Sequence, residues 1–194
     1  MSNRFQERIE SIDLSGKLLV ASPNWDDALF GRTVCLIVHQ GSEGSIGIVL
    51  NRTLNTDLGN LWKELAGTEA KNKCARVNFG GPMSGPVVAV HDQADLSEYE
   101  SGDGVYLAAQ VSNLKKLVAD DVCHEVRIVV GQAGWQVGGL EQQFIEGKWL
   151  VVPVERDLVF APEDEMWGRS LRAFGNHFVA LMSGAILPRS AQSN

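Results

Sequence analysis

The chain has few cysteines, few prolines and a deficit of positive charge. Among its 194 residues are three cysteines, Cys35, Cys74 and Cys123, with no Cys-x-x-Cys pair and no framework spacing. This pattern disfavours a disulfide-stapled scaffold or a zinc finger and predicts reduced thiols, as in a cytoplasm. With six prolines, no internal repeat and no linker composition, nothing marks a boundary between domains.

Positive charge is scarce. The 17 Lys and Arg residues face 24 Asp and Glu residues, for a net charge of -7. Such a chain has no uniform positive field for a phosphate backbone, and it shows no helix-turn-helix pattern. Direct nucleic-acid binding is therefore disfavoured and would require a local basic face, for which the candidates are Lys115, Lys116, Arg169 and Arg172.

Long apolar runs are missing towards both ends. Residues 1–10 are charged and lack the apolar region of a secretory signal. The longest apolar stretch near the C-terminus, residues 178–187, is shorter than the roughly 20 residues that cross a bilayer. We therefore expect a cytoplasmic protein with no membrane partner, in which residues 178–187 form a helix or strand of the core.

The rest of the composition is typical of a folded domain, with 44% hydrophobic and 21% charged residues. Apolar runs rich in β-branched residues predict strands at residues 18–21, 33–38, 46–50, 76–79, 87–91, 105–107, 126–130 and 149–152. Apolar spacing and helix-start residues predict helices near residues 56–67, 112–118, 140–145 and 161–174. Because strands and helices do not alternate strictly, the predicted class is α+β.

Three regions are expected along the chain. Phe5, Ile9 and Ile12 recur at helical spacing, which predicts an N-terminal helical extension over residues 1–17. Residues 18–187 are long enough for a single α+β domain with its own core. Residues 188–194 are expected to form a flexible tail.

The glycine-rich and histidine-containing segments match no complete catalytic or cofactor motif. The turn at residues 39–47 lacks the Lys-Ser/Thr of a P-loop and the order G-x-G-x-x-G. The segment 80–86 contains Ser84 but not G-x-S-x-G, so a tight turn is the simpler interpretation. The four histidines are isolated in the sequence, and we predict neither a metal site nor a cofactor.

The connection before the second predicted strand holds the first candidate site. Asp27 and Arg32 are five positions apart, and one interpretation is that they pair, because an unpaired charge beside a buried strand is costly. The alternative is a pocket at the strand edge, with Arg32 at one end of the strand and His39 at the other. There Arg32 would offer its guanidinium to a carboxylate or phosphate.

Several short motifs occur in a fixed order between residues 18 and 175. They comprise Ala21-Ser22-Pro23 with Asp27, Phe30, Arg32, Thr33, Val34 and His39; the hairpin from Gly44 to Asn51; Gly80-Gly81-Pro82 with His91; and Gly131, Gly134-Trp135, Gly138, Leu140-Glu141 and Trp149-Leu150. This ordered set resembles the AlgH/YqgE-like family of bacterial proteins. One departure is Gly139, where the family pattern has Gln.

The resemblance implies a fold more readily than an activity. It implies a single α+β domain whose bent mixed or antiparallel sheet closes into a pseudo-barrel with flanking helices. The biochemical function of the family is unresolved, and some relatives are labelled transcriptional regulators without a known DNA-binding motif. The hairpin motif also draws attention to Asn51, which joins Arg32 and His39 as a candidate anion-binding or ligand-binding residue.

Three functional hypotheses follow. The first, which we expect, is a cytoplasmic regulatory protein that binds a small ligand or a protein partner and has no complete catalytic centre. The second is an enzyme for a small anionic or phosphorylated substrate, with Arg32 as anion ligand and a histidine as acid or base. Its candidate residues would have to converge on one pocket; they are Asp27, Arg32, His39, His91 and Glu141. The third is direct nucleic-acid binding.

Overall fold

Ten strands and four helices carry the fold in the residues that the computed structural model describes, which are 13–54, 62–63, 71–72, 74–119 and 123–182. The strands are β1 (Lys17–Ala21), β2 (Val34–Gly41), β3 (Gly44–Val49), β4 (Arg76–Phe79), β5 (Val88–His91), β6 (Tyr99–Gly102), β7 (Val105–Ala108), β8 (Val126–Val130), β9 (Ala133–Trp135) and β10 (Trp149–Pro153). The helices are α1 (Val111–Ala119), α2 (Gly139–Ile145), α3 (Arg156–Val159) and α4 (Glu163–Met182).

The strands form two five-stranded sheets. The first has the order β10-β1-β2-β3-β9 and is antiparallel throughout. The second has the order β4-β8-β5-β7-β6, and its β4–β8 pair is parallel. The chain that leaves β3 connects the two sheets, because the backbone N–H of Leu54 donates to the carbonyl of Val77 (3.0 Å) and Thr53 pairs with Asn78.

Successive residues of β1 point into two different apolar cores, as the two-residue period of a strand requires. Leu18 lies in a core that also contains Val129 of the second sheet and Met166 of α4. Its neighbour Leu19 packs on the opposite face, in a core with five aromatic rings among the described residues. These rings belong to Trp25, Phe30, Trp135, Phe144 and Trp149. Because the two sheets share the first core, the predicted single α+β domain is confirmed.

The strand predictions agree well with the structure, whereas the implied sheet closure does not. The predicted strands at 76–79 and 126–130 coincide with β4 and β8. No pseudo-barrel forms from the described strands, because they divide into two sheets instead of one bent sheet. Most of the predicted helix at 56–67 lies outside the described residues, although Trp62 and Lys63 are helical. Residues 1–12 and 183–194, which include most of the predicted extension and the tail, lie outside them too.

The expectation of reduced thiols is wrong for two of the three cysteines. Cys74 and Cys123 form a disulfide, with Cα atoms 5.4 Å apart across a sequence separation of 49. Cys35 is free and buried in β2, and this burial raises its pKa far above the ordinary value. Spacing along the chain does not reveal the bonded pair, because the parallel alignment of β4 with β8 brings the two cysteines together.

The apolar stretch near the C-terminus is not a core element over its described part. Its first residues form the last turn of α4, where Phe178, Val179 and Met182 are 53%, 65% and 75% exposed. Ala180, in the same turn, is buried. Among the helices that the structure describes, none combines the length and the apolar character needed to cross a membrane.

Candidate functional site

A cavity of about 470 Å³ opens where the two sheets meet the first turn of α4. It is lined by residues from three segments: the loop before β2, the chain that follows β3, and the start of α4. The lining residues are Arg32, Asn51, Arg52, Thr53, Glu163, Asp164 and Trp167. Two of the three residues predicted to bind an anion, Arg32 and Asn51, therefore lie in one cavity.

The backbone of Arg32 is held in a conformation that non-glycine residues seldom adopt. Its φ is 57°, in the left-handed region, which costs a non-glycine residue roughly 1–2 kcal/mol. The Asn51 side chain secures this turn from both sides: its Nδ2 donates to the carbonyl of Arg32 (2.9 Å), and its Oδ1 accepts the N–H of Val34 (2.8 Å). Asn51 thus orients the arginine at the entrance to β2.

The Arg32 guanidinium lies over an aromatic ring at the cavity wall. Its Cζ is 5.5 Å from the ring centroid of Trp167, within the range of a cation–π contact. The indole is itself fixed, because Trp167 Nε1 donates to the carbonyl of Ala21 in β1 (2.8 Å). Arg32 is exposed, so the contact with Trp167 restricts the side chain without burying its charge.

Arg52 supplies a second guanidinium to the cavity. Its Nη2 donates to the carbonyl of Gly31 (2.7 Å), and its own carbonyl accepts the N–H of Phe79 (2.7 Å). Within the described residues, neither Arg32 nor Arg52 forms an ion pair with a carboxylate. Two cationic groups in one cavity are therefore free to bind an external anion.

Glu163 lines the cavity, and its negative charge is compensated by two arginines that do not. Arg127 Nη1 lies 2.5 Å from Glu163 Oε1, and Arg76 Nη1 lies 4.0 Å from Glu163 Oε2. Burial acts to raise the pKa of Glu163, but its own backbone N–H and the Arg127 guanidinium together hold that pKa below the ordinary value. With Asp164 as the other acid in the described lining, four arginines face two carboxylates, so the described residues around the cavity carry a net positive charge.

His39 lies at a different site. It lines a second cavity of about 490 Å³ at the β2–β3 turn, together with Glu43, Met83 and Trp135. Arg32 precedes β2 and His39 lies near its far end, seven positions along, which at about 3.3 Å per residue separates them by roughly 20 Å. One small ligand cannot bridge that distance, so the predicted pocket containing both residues is not formed.

The other residues proposed for an enzyme have structural partners. Asp27 does not pair with Arg32; its Oδ1 accepts the N–H groups of Leu29 (2.9 Å) and Phe30 (2.7 Å) and closes a turn. Glu141 Oε1 accepts Gln40 Nε2 (2.7 Å), which ties α2 to β2. The five residues of the enzyme hypothesis do not converge on one pocket.

His91 is fully buried in β5 of the second sheet. Its Nδ1 accepts the N–H of Gln93 (3.3 Å), and its Nε2 has no hydrogen-bond partner among the described residues. Burial lowers the pKa of His91 to about 4, despite the opposing charges of Asp92, Glu98 and Asp95. The imidazole is therefore a neutral core group rather than a member of the cavity.

The basic residues considered for nucleic-acid binding are divided between two helices. Lys115 and Lys116 are exposed on α1, whereas Arg169 and Arg172 belong to α4. Arg169 is also paired with Glu165, with its Nη2 2.6 Å from Glu165 Oε2. Its charge is thus partly compensated.

Sequence reasoning missed most of the residues that surround the cavity. From the sequence, Arg76 and Arg127 are placed only in predicted strands, although Arg127 is a charged residue in an otherwise apolar run. Arg127 is 1% exposed and binds the carbonyl oxygens of Val159 (2.7 Å) and Ala161 as well as Glu163. A charge inside a buried strand requires partners, and that signal could have indicated a polar junction at this place.

Comparison with known proteins agrees with this architecture. The model of the AlgH-like family matches residues 18–179. The UPF0301 protein of Chlamydia caviae is 31% identical over 170 residues, which cover 86% of this chain and 89% of the relative. The UPF0301 protein of Chlorobaculum tepidum is 32% identical over 194 residues, which cover 97% of this chain and 98% of the relative.

Two solved structures have the same fold at lower identity. The solution structure of the AlgH protein from Pseudomonas aeruginosa superposes with a TM-score of 0.65 at 22% identity, and covers 90% of this chain and 94% of that one. The crystal structure of protein DIP2367 from Corynebacterium diphtheriae gives a TM-score of 0.68 at 20% identity, with 89% and 93% covered. On the family match and these relatives, the chain belongs to the AlgH-like family.

Proposed function

We propose that this protein binds a small anion, a phosphate-bearing or carboxylate-bearing metabolite, in the cavity between Arg32, Arg52 and the first turn of α4. The observation that carries the proposal is the presence, in one cavity, of two guanidinium groups that pair with no carboxylate of the described residues. Guanidinium groups match the geometry of carboxylate and phosphate oxygens, and they remain charged at any physiological pH.

The position of α4 supports the same ligand class. The helix runs for 20 residues from Glu163, and its first two residues line the cavity. The N-terminus of a helix carries a partial positive charge and favours an anion nearby. Arg127 and Arg76 compensate the negative charge of Glu163, so Glu163 does not cancel the partial positive charge of the helix N-terminus. That partial charge therefore adds to the charges of Arg32 and Arg52.

Binding suits this cavity better than catalysis. Within the described residues its lining includes no histidine or cysteine, and the pKa of Glu163 is lowered, which makes it a poor proton carrier near neutral pH. We therefore propose a ligand-binding role with a regulatory purpose, in the cytoplasm. An anion that joins the loop before β2 to the start of α4 would change how firmly that helix is held on the first sheet.

A ligand screen tests the proposal directly. The full chain is titrated with inorganic phosphate, sulfate, citrate and a nucleoside monophosphate, with thermal unfolding and calorimetry as readouts. We expect at least one of these anions to raise Tm, because a ligand that binds the folded state stabilises it by mass action.

Matched arginine substitutions locate the site. In Arg32→Gln, affinity for that anion should fall by about tenfold, the loss of one charge-assisted contact of about 1.4 kcal/mol. Arg169→Gln changes an arginine of α4 that does not line the cavity, and this variant should bind the anion with wild-type affinity. The proposal is wrong if no anion shifts Tm, or if Arg32→Gln and Arg52→Gln both retain wild-type affinity.

A further inference from the structure

The Cys74–Cys123 disulfide lies at the surface, in contrast to the third cysteine. Cys123 is exposed and Cys74 is half-buried, so a small thiol in solution can reach the bond. Cys35 is fully buried in β2 and unreactive in the folded protein. A surface disulfide that is open to thiols exchanges with them, whereas a sequestered one does not.

This disulfide connects the segments just before β4 and β8, the two strands that carry the arginines next to Glu163. Cys74 is two residues before Arg76 of β4, and Cys123 is four residues before Arg127 of β8. Arg76 and Arg127 are directly paired in the β4–β8 register. Both arginines approach Glu163, whose carboxylate lines the cavity.

The neighbouring chain does not depend on the disulfide for its attachment. Asn72 is buried, and its Nδ2 donates to the carbonyls of Leu117 and His124 (3.2 Å each). The backbone N–H groups of Lys71 and Asn72 also donate to Val118 (2.9 and 3.0 Å). Cleavage of the S–S bond therefore removes the covalent link between the starts of β4 and β8. The segment around Asn72 stays hydrogen-bonded to α1.

We infer that Cys74 and Cys123 are a reversible thiol–disulfide site that adjusts the affinity of the Arg32–Arg52 cavity for anions, an inference that rests on the proposed function. The oxidised form keeps Arg76 and Arg127 close to Glu163 and so compensates its negative charge. The reduced form allows the start of β4, at Arg76, to move relative to β8, while residues 77–79 stay paired with residues 52–54. The oxidised protein is accordingly the tighter binder of anions.

The chemistry needs only thiols and disulfides. In reduction, the thiolate of glutathione attacks the sulfur of Cys123, the more exposed residue of the pair, a mixed disulfide forms, and Cys74 leaves as a thiolate that takes up a proton. A second glutathione thiolate attacks the glutathione sulfur of the mixed disulfide and releases Cys123 as a thiolate, which is also protonated. Two glutathione thiols thereby become one glutathione disulfide, and the reverse sequence oxidises the protein.

The redox part is tested on the folded, full-length chain in buffers of varied glutathione to glutathione disulfide ratio. Native alkylation followed by mass spectrometry counts free thiols. We expect two alkylations, on Cys74 and Cys123, in reducing buffer, none in oxidising buffer, and full reversibility between them. The proposal is overturned if excess reduced glutathione leaves the pair bonded, or if the bond does not re-form.

The coupling is tested by titrating inorganic phosphate, or the anion found in the screen, into both forms. Oxidised protein should bind about fivefold more tightly, within the usual range for coupled sites. The double variant Cys74→Ser/Cys123→Ser should bind like the reduced wild type and be insensitive to glutathione; circular dichroism confirms that both are folded. Equal affinity of the two wild-type forms refutes the inference alone. Absence of anion binding in both forms refutes the proposed function and the coupling with it.

Discussion

At Arg32 a single residue combines backbone strain with a charge that no carboxylate of the described residues pairs. The φ of 57° is stabilised by two hydrogen bonds of the Asn51 side chain, one donated to the Arg32 carbonyl and one accepted from the Val34 N–H, and the guanidinium lies over Trp167. Strained backbone of this kind is retained where the surrounding structure over-determines it, and it clusters at functional sites. The arrangement places an arginine at the cavity with little freedom left to lose when a ligand binds.

His91, in contrast to the exposed Arg32, is an ionisable side chain buried in the core. Its burial makes the free energy of unfolding depend on pH. Its pKa is lowered from 6.5 to about 4 in the folded protein, chiefly by burial, so between these values the unfolded chain binds the extra proton. The free energy of unfolding is therefore unaffected by His91 above pH 6.5, and it decreases as pH falls from 6.5 towards 4. The loss from this group amounts to about 3 kcal/mol at pH 4.

Urea unfolding at a series of pH values between 7 and 4 measures this effect. The wild-type free energy of unfolding should fall more steeply over this range than that of His91→Asn, which keeps an acceptor for the Gln93 N–H but does not titrate. Identical pH slopes for the wild type and His91→Asn would contradict the assignment.

At the scale of elements, Arg127 joins β8 of the second sheet to α3 and α4. It is the one guanidinium in the described chain that binds two main-chain carbonyls, at the end of α3 and just before α4, together with a carboxylate of α4. Removal of one partner from a buried ion pair leaves the other uncompensated, which costs about 3–5 kcal/mol. We expect Arg127→Met to lower the free energy of unfolding by that amount.

Chemical denaturation of a matched set of variants checks this prediction. Arg169→Ala removes an exposed pair with Glu165 on α4 and should cost less than about 1 kcal/mol. Glu163→Gln in the Arg127→Met background should recover part of the loss, because the unpaired carboxylate is then gone. A cost for Arg127→Met no greater than that for Arg169→Ala would show that the junction does not depend on Arg127.

The elements themselves divide into those with a local signal and those without one. β8 is predicted because four of its five residues are apolar and β-branched, and α4 because Pro162 and three acids mark its start. β6 has the polar sequence Tyr-Glu-Ser-Gly, and β9 has only three residues; both are strands because β7 and β3 supply hydrogen-bonding partners. Propensity is weak wherever pairing with a distant strand determines the conformation.

At the scale of the whole molecule, the net charge of -7 does not describe the field at the cavity. Arg32, Arg52, Arg76 and Arg127 come from four separate places in the chain and gather around Glu163 and Asp164. Because charges are screened within about 10 Å at ordinary ionic strength, this local group determines what the cavity attracts. An acidic protein can thus offer a cationic site.

The disulfide affects the stability of the whole domain. It closes a loop across 49 positions, and the chain-entropy model assigns such a bond about 4 kcal/mol at most. Reduction should therefore lower the denaturant midpoint of the wild type without abolishing its cooperative transition, since the core residues from both sheets remain packed.

Guanidinium chloride unfolding with and without reductant measures this contribution. Cys74→Ser/Cys123→Ser should match the reduced wild type and show no response to reductant, which serves as the control for effects on Cys35. Equal midpoints for the oxidised and reduced wild type would mean that the bond does not constrain the unfolded chain.

The amino-acid order alone predicts the α+β class, the principal strands, the family and two residues of the cavity, Arg32 and Asn51. It could do so because apolar periodicity and ordered motifs are local properties of the chain. The tertiary structure decided the division into two sheets, the Cys74–Cys123 bond, the separation of Arg32 from His39 and the partners of Glu163. Each of these depends on which distant segments align, and alignment is set by packing between sheets and helices rather than by the residues adjacent in the chain.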